Sequence, residues 1–341
     1  MKGKEELRIS AVSRALQRSL KRALRNQKRA RKKLDATPVH DFRVALRRCR
    51  SLAEGLSAID SHRVWRRLRK VSKRQQKGLS ELRDVQVLQG WLKPLRLTTG
   101  PVGRALTAEL KKQQRSAKRK ARTSLKSFPR HRWKNWLLRL PARVESIPLE
   151  ERRVARLVVE QLTRVVELHN RWSKELTPEA WHALRLNVKR LRYMLESFLP
   201  EKNAAWKADL VSAQDLLGEG HDLDVLRALV AKLAGQKSLR HAKAEVRRCL
   251  RRVEGEAQRR REGYASLVVP GSEIAVGTAP ASDGQDDRSL WVRWRAELLQ
   301  KNSVSRRAGE GPLRSKARRA LHAEAKESRY PSRPRRISST Q

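Results

Sequence analysis

Histidine and arginine recur together in two stretches of this chain, and their spacing is suited to holding an anion. In 38–50, His40, Arg43, Arg47 and Arg50 fall at i, i+3, i+7 and i+10. At about 100° per residue of an α-helix, these four side chains lie within roughly 80° of one another. Phe42, Ala45, Leu46, Cys49, Ala53 and Leu56 take the opposite side. A helix patterned in this way buries its apolar stripe and presents its basic one. The spacing returns as His182, Arg185, Lys189 and Arg192, with Leu184, Val188, Leu191, Leu195 and Phe198 opposite. His182 follows His40 by 142 residues. An ordinary solvated face mixes signs, because Glu–Lys pairs at i,i+4 stabilise it and like charges repel. Neither four-residue stripe contains a carboxylate, and the device occurs twice, so both read as anion-binding faces. Thr37–Pro38 and Thr177–Pro178 each offer an N-cap followed by proline at the first helical position.

A second echo follows each stripe: LSELRDVQVL at 79–88 and LGEGHDLDVL at 217–226. His40 to Asp84 spans 44 residues and His182 to Asp222 spans 40, so one length change of four residues relates the two halves. The pattern reads as an internal duplication. Asp84 and Asp222 hold equivalent places, and a carboxylate in so basic a setting is expected to orient stripe arginines by bidentate pairing. The histidines could instead be metal ligands or phosphoryl acceptors, but the surrounding arginines and lysines would repel a metal cation. His221, Asp222 and Asp224 form only a weak candidate ligand set. Cys49 and Cys249 each stand alone, without zinc spacing. Walker A, Rossmann glycine and nucleophile-elbow motifs are missing. The reading is therefore a binding protein with no catalytic residue, no metal and no cofactor.

The wider composition agrees. Among 341 residues there are 81 Lys and Arg against 35 Asp and Glu, a net charge of +46. Such a balance predicts a polyanionic partner. It also predicts that self-repulsion weakens the compact state until anions bind. Two cysteines make no disulfide framework. The N-terminus MKGKEE lacks the apolar region of a secretory signal, and no apolar run is long enough for a membrane span, so a cytoplasmic protein is expected. Arg and Lys contact phosphate well, so the ligand is phosphate-rich. Nucleic acid is one such polyanion, but base recognition adds aromatic platforms beside the cations. The nine tryptophans mostly avoid the basic stripes, and Phe and Tyr number three each.

The elements that must carry these groups are helical throughout. A first helix over 8–34 puts Arg14, Arg18, Lys21 and Arg25 on one face and Val12, Leu16, Leu20 and Ala23 on the other. Helices follow over about 62–77 and 102–126, each with Lys or Arg in the same rhythm. A connector over 128–148 encloses a short helical piece with Trp133 and Trp136. The second half repeats the plan with helices over 151–174, 203–217, from Asp222 onward, and over 237–261. The fold class is all-α: two helical bundles related by duplication, over about 8–140 and 151–264. Residues 265–341 carry a net charge of only +7 and read as a linker and a mostly disordered, low-complexity basic tail, with short helices expected over 290–300 and 313–326.

The copies VHDFRVALRRCRSL and WHALRLNVKRLRYMLE, with LRDVQVL and HDLDVL after them, resemble the CHAD family, the conserved histidine α-helical domain. The resemblance covers about 8–264 and implies two helical bundles with pseudo-two-fold symmetry around a basic central channel. It implies binding of inorganic polyphosphate and recruitment to polyphosphate granules. The ligand contacts it implies are His40, Arg43, Arg47, Arg50, His182, Arg185, Lys189 and Arg192, with Arg48 and Arg190 alongside. Arg14, Arg18, Lys21 and Arg25 join them as candidates from the basic face of the first helix. The pattern departs at His221, which stands where the first half has Arg83, and at Lys189, which replaces an arginine of the first copy. Many relatives carry a triphosphate-hydrolysing tunnel domain as well. With 37 residues before Pro38, the expectation here is the stand-alone form.

Overall fold

The computed structural model describes residues 2–270 and 289–309, and every regular element among them is helical. Met1–Arg295 form one compact unit and Ala296–Gln341 a second. In the first, α1 (Lys2–Lys32) buries Val12, Leu16, Leu20 and Ala23 against α2 (Ala36–Ile59) and α6 (Arg130–Glu145). The stripe of α2 expected to be apolar is buried, from Val39 and Phe42 to Leu56. Its cap differs from the expectation. Asp35, not Thr37, precedes the helix, and Pro38 sits inside the first turn, where a missing N–H costs nothing. The N-cap of α8 (Pro178–Phe198) is Thr177, whose Oγ1 accepts a 3.2 Å hydrogen bond from the Ala180 amide.

Asp60 fastens the far end of α2. Its carboxylate accepts from Trp65 Nε1 of α3 (Arg63–Gly78) at 2.7 Å, and from Arg143 of α6 through two bonds at 2.9 and 3.0 Å. The connector expected over 128–148 is thus largely a helix packed on α1.

The remaining helices are α4 (Ser80–Leu92), α5 (Gly100–Lys126), α7 (Glu151–Glu175), α9 (Pro200–Ala205), α10 (Lys207–Ala234), α11 (Lys243–Val268) and α12 (Leu290–Gly309), with a 3₁₀ turn at Lys237–Ala242. One apolar core joins α4 and α5 to α10 and α11, with Leu88, Leu106 and Leu110 packed among Leu223, Leu226 and Val253. A bundle is therefore built from both halves of the sequence rather than from one. The break expected between 217 and 222 is absent, because α10 runs through Gly218 and Gly220 without interruption. The boundary expected at 264/265 falls inside α11. Tyr264 is fully buried there and accepts a 3.0 Å hydrogen bond from Trp291 Nε1 at the start of α12. Trp294 stacks on Trp206, with ring centroids 4.5 Å apart. The helix expected over 313–326 lies outside the described residues.

Candidate anion-binding cleft

Helices α2 and α8 lie together, and two ion pairs brace them: Arg48 to Glu196 at 2.7 Å and Arg190 to Glu54 at 3.1 Å. Adding 142 to the two α2 residues of these pairs, Arg48 and Glu54, gives their two α8 residues, Arg190 and Glu196, the same offset that relates His40 to His182. Each helix thus offers the other the same arginine and the same glutamate, an isologous contact. Beside this seam opens a cleft of about 640 Å³, walled by α2, α3, α4, α8 and α10. Arg43, Arg47 and Arg50 enter it from α2, and Arg185, Lys189 and Arg190 from α8.

Arg43 is fixed by the junction of α3 and α4. Its Nη1 donates to the Gln76 carbonyl at 3.1 Å and to Ser80 Oγ at 2.9 Å. A cation here also faces the last carbonyls of α3, where the helix dipole favours positive charge. Burial, with Arg47 close by, brings its pKa down to about 10. Arg47 is held more loosely, its guanidinium 6.0 Å from the centroid of the Tyr193 ring. Among the described residues its buried Nε has no hydrogen-bond partner, and neither does the buried Nε of Arg185. Buried donors of this kind are costly unless something accepts from them. Lys189 lies between these arginines, and burial together with Arg47 and Arg185 lowers its pKa to about 7. The cleft therefore gathers more donors and more positive charge than its own acceptors satisfy.

His182 turns toward His221 of α10, Nδ1 to Nδ1 at 3.3 Å, with ring centroids 4.4 Å apart. Burial and Arg185 lower both pKa values, that of His221 to about 4. At neutral pH both rings are then uncharged, and one Nδ1–H donates to the other Nδ1. The neighbouring Trp181 is fully buried against Trp172 and Tyr264, and its Nε1 donates to the Leu217 carbonyl at 3.1 Å. Gly220 permits this: a Cβ there would stand 3.0 Å from the indole ring. The aromatic cluster thereby fixes α8 against α10 and sets the two histidines face to face.

The carboxylates do not make the bidentate pairs expected of them. Asp222 reaches Arg185 only at 3.9 Å, beyond hydrogen-bond range. Asp84 lines the same cleft, where Arg43 and Arg185 act on it most strongly among the charged groups. Burial raises both pKa values, that of Asp222 to about 6, with Asp84 adding like-charge repulsion. They lower the cleft's positive charge without tying up its guanidinium donors.

Several residues expected at the site stand elsewhere. His40 is exposed and does not line the cleft, although partial burial, Arg83 and Arg47 lower its pKa. Arg192 donates to Gln214 at 2.8 Å, and Arg48 is spent on Glu196. Arg190 lines the cleft but is paired with Glu54. Arg14, Arg18, Lys21 and Arg25 are exposed on α1 and do not line the cleft. Sequence reasoning missed His221, Tyr193, Lys73 and Lys77 as wall residues. The lysines carried a signal, since they lie four apart on a helix that ends directly before the second echo.

Among the described residues no group of three or more His, Cys, Asp or Glu side chains could hold a metal ion, and no helix is long and apolar enough to cross a membrane. Fold and site together define an all-helical protein with a cationic cleft between paired helices. The chain belongs to the CHAD domain family, whose model matches residues 14–231. It is similar to the crystal structure of the CHAD domain from the plant Ricinus communis, with 22% identity and a TM-score of 0.57 over 76% of this chain and 91% of that one. No curated protein matches the chain.

Proposed function

We propose that this protein binds inorganic polyphosphate in the cleft between α2 and α8, without chemical turnover, and that it works in the cytoplasm on polyphosphate granules. The CHAD family is linked in general to polyphosphate binding. The observation that carries the reading is the pair of buried guanidinium nitrogens, Arg47 Nε and Arg185 Nε, left without acceptors beside Lys189. Phosphate oxygens are suited to accept from them, since charge-assisted bonds to guanidinium are short and strong. Nucleic acid fits the cleft less well. Among the described residues the one Phe, Trp or Tyr lining it is Tyr193, which is 9% exposed and already faces Arg47, and the rings of His182 and His221 are turned on each other. The test is competition at physiological salt between long-chain polyphosphate and RNA or duplex DNA. Polyphosphate should displace both; equal competition would favour a nucleic-acid-binding protein.

A further inference from the structure

The cleft leaves the outer face of α1 without a task. Arg14, Arg18, Lys21, Arg25, Lys28 and Lys32 follow one another at alternating steps of four and three, and all six are exposed. At about 100° and 1.5 Å per residue they fall within roughly 80° of one another, in a row about 27 Å long. From Glu6 to its end α1 has no further carboxylate. Among the described residues, Arg18, Lys21, Arg25, Lys28 and Lys32 have no hydrogen-bond or ion-pair partner.

The ordinary alternative is a solvated face, and α7 shows what that looks like in this protein. α7 packs on α8 as α1 packs on α2. The offset of 142 carries the buried Val12, Leu16, Leu20 and Ala23 onto Val154, Val158, Leu162 and Val165, which are buried too. The same offset carries the cationic row onto Arg156, Glu160, Thr163, Glu167, Asn170 and Lys174. That face mixes signs, and Glu167 pairs with Arg164 one turn away at 2.8 Å. Packing therefore does not call for six cations in a row. Their mutual repulsion at helical spacing is relieved when an anion lies along them.

The row is also separate from the cleft, which no α1 residue lines. Arg29 of α1 meets Asp41 of α2 at 3.3 Å. Asp41 lies about 120–180° round α2 from Arg43, Arg47 and Arg50. Helix α2 thus stands between the two cationic surfaces.

We propose that the outer face of α1 is a second polyanion site, which binds duplex nucleic acid along its phosphate backbone regardless of base sequence. The site does not depend on what the cleft holds; with polyphosphate there, one molecule joins the two polymers. A duplex suits the face because the row is straight and convex. The major groove of B-DNA, about 12 Å wide, admits an α-helix between its two phosphate walls. Trp133 and Trp136 of α6, which packs beside α1, are buried and offer no platform to unpaired bases. Among the described residues α1 exposes no large apolar side chain, and α6 only Leu138, too little to enter a lipid surface.

The test follows a labelled DNA duplex of about 20 base pairs by fluorescence anisotropy, with the full chain and two variants of equal charge change. Arg18→Gln/Lys21→Gln/Arg25→Gln/Lys28→Gln clears the row, and Lys112→Gln/Arg115→Gln/Arg119→Gln/Arg122→Gln removes exposed cations of α5 as a control. The first should lose about tenfold or more in DNA affinity, with a salt slope shallower by about 0.9 per lost contact. It should bind a polyphosphate of about ten units as wild type does, and the control should bind DNA within about threefold of wild type. Wild type saturated with that short polymer should still take up DNA; a long polymer is avoided because it reaches both surfaces. Unchanged DNA affinity in the first variant, or equal loss in both, would overturn the site, the latter by assigning the binding to diffuse charge. Displacement of DNA in step with short-polyphosphate occupancy would overturn it by placing DNA in the cleft. So would loss of phosphatidylserine-vesicle binding without loss of DNA, which assigns the row to a membrane surface. If wild type bound no polyphosphate, the cleft reading would fall and the α1 site would stand on the DNA measurements alone.

Discussion

His182 and His221 meet Nδ1 to Nδ1 at 3.3 Å in the cleft wall, a contact that only one shared proton can satisfy. Burial, and Arg185 beside them, disfavours the charged form of either ring, and so both pKa values are low.

Binding of a polyanion should therefore take up protons. The group to watch near neutrality is Lys189, brought down to about 7 by burial and by Arg47 and Arg185; an anion that offsets those charges moves it up toward the ordinary lysine range. The bound form then holds more protons than the free one, so affinity should rise as pH falls toward 7. His221, at about 4 when free, adds a further rise below about 6.5, and Asp222, at about 6, works in the same direction because a neutral carboxyl repels phosphate less. Calorimetry in buffers of different ionisation enthalpy reads the uptake. Lys189→Gln should abolish the uptake at pH 8, and a His182→Gln/His221→Gln variant should keep it there and lose it near pH 5.

Arg43 and Arg47 should separate under mutation, although they sit one turn apart. Arg43→Gln removes two donated bonds at the α3–α4 junction and should lower stability by about 1–3 kcal/mol. Arg47→Gln removes a guanidinium whose Nε has no partner, so the ligand-free protein should stay within about 1 kcal/mol of wild type. Both should weaken polyphosphate binding. Urea midpoints measured without ligand check the contrast, and equal losses would contradict the assigned roles.

Gly220→Ala should push the Trp181 indole from its place, since the added methyl would lie 3.0 Å from the ring. Overpacking of this kind costs about 1–3 kcal/mol. Because His182 follows Trp181 directly, affinity should fall as well. Trp181→Phe in the Gly220→Ala background should recover part of the stability, as read by thermal melting.

Trp291 should be part of the folded unit rather than of a dispensable tail. It is fully buried, donates to Tyr264, and Tyr264 packs on Trp181 with ring centroids 5.3 Å apart. Trp291→Ala should cost about 3–5 kcal/mol, measured by denaturant unfolding. A chain cut after residue 270 should lose at least as much.

The sequence alone determined most of the helices, the phases of their buried faces and the doubled His–Arg stripe. Helical periodicity is local: Val39, Phe42 and Leu46 declare a face wherever the helix is later placed. The +46 charge likewise declared a polyanion without any fold. What each cation does was decided only by tertiary structure. A ten-residue stripe spans about 15 Å, more than one crossing of two helices can bring to a single point. So His182 lines the cleft while His40 stays exposed, and Arg185 enters it while Arg192 turns to Gln214. Arg48 and Arg190 looked like ligand contacts, because nothing in their own stretches showed that Glu196 and Glu54 would lie opposite. The pairing of His221 with His182 escaped notice for the same reason: the two are 39 residues apart, and only the packing of Trp181 on Gly220 makes them neighbours. The apolar pattern of Val85–Leu92 and Leu223–Val230 fixed that these segments are buried, but not that they are buried together. That pairing rests on long-range contacts between the two halves, which local periodicity does not encode.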